Sequence, residues 1–174
     1  MICISFSSRV VMAVLPNIQL TTVIVIISAL TMPMSRAIFI AFGSVILSNI
    51  ILGMGIYTYW QIITWSAIVF ITYLFKSTRL SRSKLYVSIF SGICGMIYGF
   101  IISWFGSKFV SIPFFAYYIY GLPIDFSHAI GNILFMYVFY DVFIGLYEKY
   151  IKKGDYLLWK KALKCYFYYH QQFY

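Results

Sequence analysis

Six apolar segments, separated by turn-forming residues and charges, follow one another along this chain. They span about residues 2–15, 19–32, 35–52, 59–75, 85–105 and 125–147. Only 10% of the residues are charged, against roughly 25% in an ordinary soluble domain, so water cannot be the solvent for so much apolar surface. The sequence therefore predicts an all-α integral membrane protein whose helices form one compact bundle of six spans.

Three parts of the chain differ from a regular apolar span: its start, residues 109–124 and its tail. The first segment is expected to be a retained span, because no basic residue precedes its apolar stretch and no small-x-small site follows it. Residues 109–124, FVSIPFFAYYIYGLPI, carry two prolines and many aromatic residues, which favours a long interfacial loop. The transmembrane domain then covers 1–150. Residues 151–174 form a basic, aromatic tail, which either docks a partner or, as we favour, lies on anionic lipid.

The distribution of lysine and arginine predicts the orientation of the bundle. Eleven of these residues fall in the 2–3 turn, the 4–5 loop and the tail, whereas only Lys108 falls in the connections on the other side. Positive residues mark the cytoplasmic face of a membrane protein. Both termini are therefore expected to be cytoplasmic, and the net charge of +9 concerns orientation and not nucleic acid.

The sequence offers little for metal binding or catalysis. Cys3, Cys94 and Cys165 lie far apart, without the spacing of a zinc site or a disulfide framework. Ser127 and His128 are adjacent and point about 100° apart on a helix, which is wrong for a nucleophile and its base. We expect no metal and no catalytic residues, although an intramembrane enzyme using Asp125 and His128 remains an alternative.

Polar side chains recur at the predicted outer ends of several segments. Asp125, His128 and Asn132 fall within about 60° of arc on a helix, and Gln61, Thr64 and Trp65 share another helix face. Polar groups deep in a bilayer usually face a cavity or each other. We therefore predict an outward-opening small-molecule pocket. Its candidate residues are Asn17, Gln19, Asn49, Gln61, Thr64, Trp65, Asp125, His128 and Asn132.

Simpler roles exist for several of these residues. Asp125 could cap the sixth helix, because Asp is favoured at that position and Pro123 precedes it. His128 and Asn132 could link helices by hydrogen bonds, and Trp60 could belong to an interfacial belt. Arg9 could pair with Asp125 or contact a bound anion.

Four stretches together resemble a known family. They are LPNIQLTT (15–22), LSNIILGMGIYTYWQIITW (47–65), GMIYGF (95–100) and GLPIDFSHAIGN (121–132). The chain resembles the S-components, the substrate-binding membrane subunits of energy-coupling factor (ECF) vitamin transporters, and is closest to their cobalamin-type branch.

This resemblance implies a six-helix S-component bundle in the bacterial cytoplasmic membrane. It implies a vitamin, cobalamin or a related corrinoid, as the transported ligand, with another vitamin or micronutrient as the alternative. It also implies partners: an ECF transmembrane coupling protein and two cytoplasmic ATPases, which alone use ATP. The family docks on its coupling protein through small residues of the first helix, for which Ser5, Ser8 and Ala13 are the candidates here.

Overall fold

The computed structural model describes residues 1–13 and 18–152, and this part of the chain is helical without any strand. The α-helices are α1 Ile2–Val11, α2 Thr21–Thr31, α3 Met34–Leu52, α4 Ile56–Lys76, α5 Lys84–Phe109 and α6 Phe114–Leu146. A short 3₁₀ helix, Arg79–Arg82, follows α4, and a π-helix, Tyr147–Lys152, follows α6. The predicted all-α class is confirmed. Of the predicted tail, only residues 151 and 152 are described.

The chain divides into two compact units, Met1–Tyr140 and Asp141–Tyr174. The first contains α1 to α5 and most of α6. The described part of the second comprises the end of α6 and the π-helix, where the Lys149 ammonium lies 5.0 Å from the centre of the Tyr150 ring.

Four of the helices are long and apolar enough to cross a membrane. They are α3, α4, α5 and the continuous helical segment Phe114–Tyr150 that contains α6. These helices expose large apolar side chains such as Phe39, Phe70 and Val138, as lipid-facing surfaces do. The helices α1 and α2 are apolar but contain only 10 and 11 residues, less than the roughly 20 that a span needs. Six spans and cytoplasmic termini stay predictions.

Helix α2 forms the centre of the first unit. Its sequence, TTVIVIISALT, is apolar around its whole circumference apart from small hydroxyls, and every residue from Thr21 to Ala29 is buried. A helix of this kind is stable only when neighbouring helices cover all of its sides. Helices α1, α3, α4 and α5 all pack against it.

Local sequence signals set the ends of α3 and α4. Helix α3 follows Pro33, whose fixed φ and missing N–H are compatible with a helix start. It ends at Gly53, which has a φ of 108°, a backbone conformation that other residues rarely adopt. Helix α4 then begins directly after Gly55, whose backbone N–H donates to Thr58 Oγ1 at 3.3 Å.

The predicted loop at 109–124 is wrong. Helix α5 continues to Phe109, and α6 begins directly after Pro113 and runs through Pro123. Rings on neighbouring turns stabilise this start, because Phe114 and Tyr118 stack on each other at 5.6 Å and both pack against Phe100 of α5. These contacts offset the backbone hydrogen bond that a helical proline cannot donate.

Glycines bring α5 very close to α6. Gly92, Gly95 and Gly99 lie at helical spacing on one face of α5, opposite Ala129 and its neighbours. A side-chain carbon at Gly95 would lie 3.0 Å from the Ala129 Cα, tighter than most real contacts, and 2.9 Å from Asn132 Nδ2. Small residues allow such close approach between membrane helices, where van der Waals packing provides much of the association energy.

We expect Gly95→Leu to lower the free energy of unfolding by about 1–3 kcal/mol, because the added side chain overpacks a contact formed by backbone atoms. Thermal unfolding of the detergent-solubilised protein measures the loss. Gly145→Leu is the control, since a Cβ at Gly145 has no neighbour within 4 Å. Equal stability of the two variants would contradict the close α5–α6 contact.

Candidate functional site

A buried arginine forms the centre of a polar cluster between α1, α3 and α4. The Arg9 side chain is only 6% exposed. Its Nη2 donates to Asn49 Oδ1 at 3.2 Å and to Gln61 Oε1 at 3.4 Å. Asn49 Nδ2 in turn donates to Gln61 Oε1 and to Thr58 Oγ1, each at 2.9 Å. The cluster thus joins one cation to neutral amides and a hydroxyl.

The guanidinium of Arg9 is incompletely satisfied by these contacts. Its Nε and Nη1 are buried and have no hydrogen-bond partner. In the described part of the chain no carboxylate pairs with it, and its two hydrogen bonds go to amide oxygens. The pairing with Asp125 that the sequence left open is therefore not formed.

A second group of side chains, on α2, α4 and α6, meets at Thr22. The Trp65 Nε1–H donates to Thr22 Oγ1 at 3.2 Å, and the same hydroxyl pairs with His128 Nε2 at 3.1 Å. All three residues are buried. Because the indole is a donor only, Thr22 must accept from it. Toward His128 the hydroxyl donates or accepts according to the tautomer of the imidazole.

Aromatic contacts connect the two groups. The Trp65 ring lies 4.9 Å from the Tyr98 ring, which lies 5.3 Å from the His128 ring. The Arg9 guanidinium carbon lies 4.9 Å from the centre of the Trp65 ring, within the range of a cation–π contact. Trp65 thus belongs to both groups and joins them into one network.

A cavity of about 300 Å³ adjoins Arg9. Among the described residues its polar lining is Arg9, Gln19 and Gln61, and its apolar lining is Met12, Ala13, Ile18 and Leu52. Small-molecule sites are concave and combine apolar side chains with a few polar groups, and this cavity has both kinds of residue in its lining. Its volume is at the lower end of the roughly 300–1,000 Å³ of such sites.

The structure brings some of the predicted site residues together. Asn49, Gln61, Trp65 and His128 belong to the network, and Gln19 and Gln61 line the cavity. Thr64 is buried and donates to the Trp60 carbonyl of its own helix at 2.6 Å. Asn17 lies outside the described residues.

Asp125 and Asn132 lie against α5 and do not line the cavity at Arg9. Asp125 is inside α6 and not at its N-terminus, so the capping interpretation is wrong. Its carboxylate packs where Gly99 leaves space, and its Oδ2 has no hydrogen-bond partner. Asn132 Nδ2 donates to the Ser91 carbonyl at 3.4 Å, which links α5 to α6 as the simpler interpretation predicted.

The candidate docking residues of α1 do not share an exposed face. Ser5 is fully buried, and its hydroxyl donates to Thr21 Oγ1 at 3.2 Å. Ser8 is buried as well, and its hydroxyl donates to the Ser5 carbonyl. Ala13 is exposed in the turn after α1 and lines the cavity. Ser5 is therefore inaccessible to a docking partner in this structure.

Three members of the network, Thr22, Thr58 and Tyr98, were missed from the sequence. A threonine in an apolar helix commonly bonds to its own backbone, as Thr72 does with the Ile68 carbonyl at 2.7 Å, so Thr22 gave no distinct signal. Tyr98 lies between Gly95 and Gly99 in GMIYGF, one of the stretches that carry the resemblance, and this was the available indication.

We expect Thr22→Val to lower the free energy of unfolding by about 1–3 kcal/mol, because it leaves the buried Trp65 N–H without its acceptor. Thr72→Val is the matched control: it makes the same change at a buried residue whose hydroxyl donates to a carbonyl of its own helix. Chemical unfolding of both variants in detergent measures the difference. A loss no larger for Thr22→Val than for Thr72→Val would contradict the network.

Comparison with known proteins found no matching family model, curated protein or solved structure.

Proposed function

We propose that this chain is the substrate-binding membrane subunit, or S-component, of an ECF-type importer in the bacterial cytoplasmic membrane. Two independent features support the proposal. The four stretches at 15–22, 47–65, 95–100 and 121–132 resemble that family, and the apolar helices enclose a site that is suited to holding a small molecule.

The observation that carries the proposal is the cavity at Arg9. Membrane helices rarely contain a buried cation without a functional reason, because inserting one costs about 2.5–3.5 kcal/mol. Here the cation lines a concave surface beside Gln19 and Gln61. Its guanidinium contacts Asn49, Gln61 and Trp65. A preformed site of this kind binds its ligand with little loss of conformational entropy.

In this proposal the chain binds the cargo, and its partners supply the energy for transport. Gln19 and Gln61 hydrogen-bond the cargo, and the apolar lining covers the rest of it. Delivery inward requires an ECF coupling protein and two ATPases, with the S-component toppling in the membrane to release its cargo. Neither Asp125 nor His128 lines the cavity, which favours binding over the alternative of an enzyme that uses this pair.

The identity of the cargo is a narrower proposal. The resemblance is closest to the cobalamin-type branch, so cobalamin and cobinamide are the first ligands to test. A corrinoid is larger than a drug-sized ligand, whereas the cavity of about 300 Å³ suits a compact molecule. The volume therefore favours the alternative cargo, a smaller vitamin or micronutrient.

Co-purification tests the class of protein. Affinity purification of the tagged chain, from bacteria that also produce an ECF coupling protein and its two ATPases, is expected to recover all three partners. Recovery of the chain alone, under conditions in which an established S-component retains the module, would contradict the proposal.

Thermal unfolding against a vitamin panel tests the cargo separately. A ligand present at 100 times its dissociation constant adds about 2.7 kcal/mol to the stability of the protein that binds it. Stabilisation by a compact vitamin but not by corrinoids would support the smaller cargo. Stabilisation by corrinoids alone would support the cobalamin-type assignment.

A further inference from the structure

No carboxylate among residues 1–13 and 18–152 pairs with the Arg9 guanidinium, and this bears on the chemistry of the cargo. A buried ion is costly unless it is paired and fully hydrogen-bonded. Among the described residues, the acceptors of Arg9 are two neutral amide oxygens at 3.2 and 3.4 Å, and two of its nitrogens have none. An anionic group in the adjoining cavity would supply the missing charge.

The residues around Arg9 orient its guanidinium for binding an anionic group. The Trp65 ring covers one side of the guanidinium at 4.9 Å, and Asn49 and Gln61 hold Nη2. A stacked guanidinium still presents its planar N–H groups at its edge, where they match the two oxygens of a carboxylate. A carboxylate is also a stronger acceptor than the amide oxygens now in contact with Arg9.

We propose that the cavity binds a compact organic monocarboxylate, with its carboxylate on Arg9 and its apolar body against Ile18 and Leu52. This inference rests on the proposed function, because it names the chemical class of the same cargo. Arg9 is the only cationic residue among the described residues that line the cavity. One positive charge balances a monocarboxylate, whereas a phosphate monoester would leave uncompensated negative charge in a buried site.

Affinity selection followed by mass spectrometry tests the proposal. The purified full-length chain in nanodiscs is incubated with benzoate, benzamide, phenyl phosphate and an equimolar panel of bacterial metabolites that includes carboxylates, amides and phosphate esters. We expect the retained compounds to be monocarboxylates. Arg9→Gln is expected to weaken their retention about 10- to 100-fold, because a hydrogen-bonded counter-ion is lost.

Two further variants separate a ligand contact from a general effect on folding. Arg9→Lys keeps the charge but not the planar fork, so its retention should fall between those of the wild type and Arg9→Gln. Arg36→Gln removes an exposed arginine of α3 that does not line the cavity, and should leave retention unchanged. Each variant must elute as a monodisperse peak.

The outcomes distinguish this inference from the proposed function. Selective retention of neutral compounds or phosphate esters would overturn the monocarboxylate assignment and leave a binding subunit with a different cargo. Carboxylate retention that is unchanged in Arg9→Gln would also overturn it. Retention of no compound, together with failure to co-purify the ECF module, would overturn both.

Discussion

Trp65→Ala is expected to lower the free energy of unfolding by about 3–5 kcal/mol, the range for removing a fully buried tryptophan side chain. Trp65 is 0% exposed and belongs to both halves of the network. Its removal leaves a cavity between Tyr98 and Thr22 and exposes one side of the Arg9 guanidinium. Reversible chemical unfolding in detergent measures the loss, and ligand retention should disappear with it.

Trp104→Ala is the control for this prediction. Trp104 is 48% exposed and contacts Phe114 edge-to-face at 5.4 Å, so its removal should cost only about 1 kcal/mol. Similar losses of stability for the two variants would show that Trp65 contributes no more to the packing of the first unit than an exposed tryptophan does.

Arg9→Met is expected to leave the empty protein as stable as the wild type or more stable, by up to about 4 kcal/mol. Replacing a buried, poorly paired charge with an apolar side chain of similar length often stabilises a protein, because the cost of desolvating the charge is removed. Asn49 Nδ2 keeps its bonds to Gln61 and Thr58 without the arginine. Asn49 Oδ1 loses the donor Arg9 Nη2, and this offsets part of the gain. Thermal and chemical unfolding without ligand provide the measurement.

A structural role for Arg9 predicts the opposite result. If the guanidinium served mainly to join α1 to α3 and α4, Arg9→Met would lower stability by several kcal/mol, and this would contradict its assignment as a ligand contact. Asn49→Leu provides a comparison: it removes an acceptor from Arg9 and should be destabilising. The double variant Arg9→Met/Asn49→Leu should recover part of that loss.

Much of the helical framework could be predicted because turn residues mark its breaks. Helix α3 begins after Pro33 and ends before Gly53, and α4 ends at Lys76. These ends lie within a few residues of the predicted bounds. The predicted start of α6 is 11 residues too late. The prolines and aromatic residues at 109–124 predict an interfacial loop when only the local sequence is considered. The stacking of Phe114 and Tyr118 against α5 is a tertiary effect that this local pattern does not contain.

The site was predictable in its components more than in its geometry. Gln19 and Gln61 were expected to line a pocket, and both line the cavity at Arg9. Asp125 was expected to line the same pocket, yet it lies against Gly99. Only three-dimensional packing distinguishes a polar residue that lines a cavity from one that is enclosed between two close helices.

The most direct test of the central claim is to identify what the chain retains when it is purified from bacterial membranes. Released small molecules are quantified by mass spectrometry for the wild type and for Ala13→Phe, which fills the cavity from its rim. The cavity at Arg9 predicts one compound at close to one molecule per chain, reduced at least about tenfold in Ala13→Phe. Equal amounts of every compound in the two proteins would contradict the claim that this cavity holds cargo.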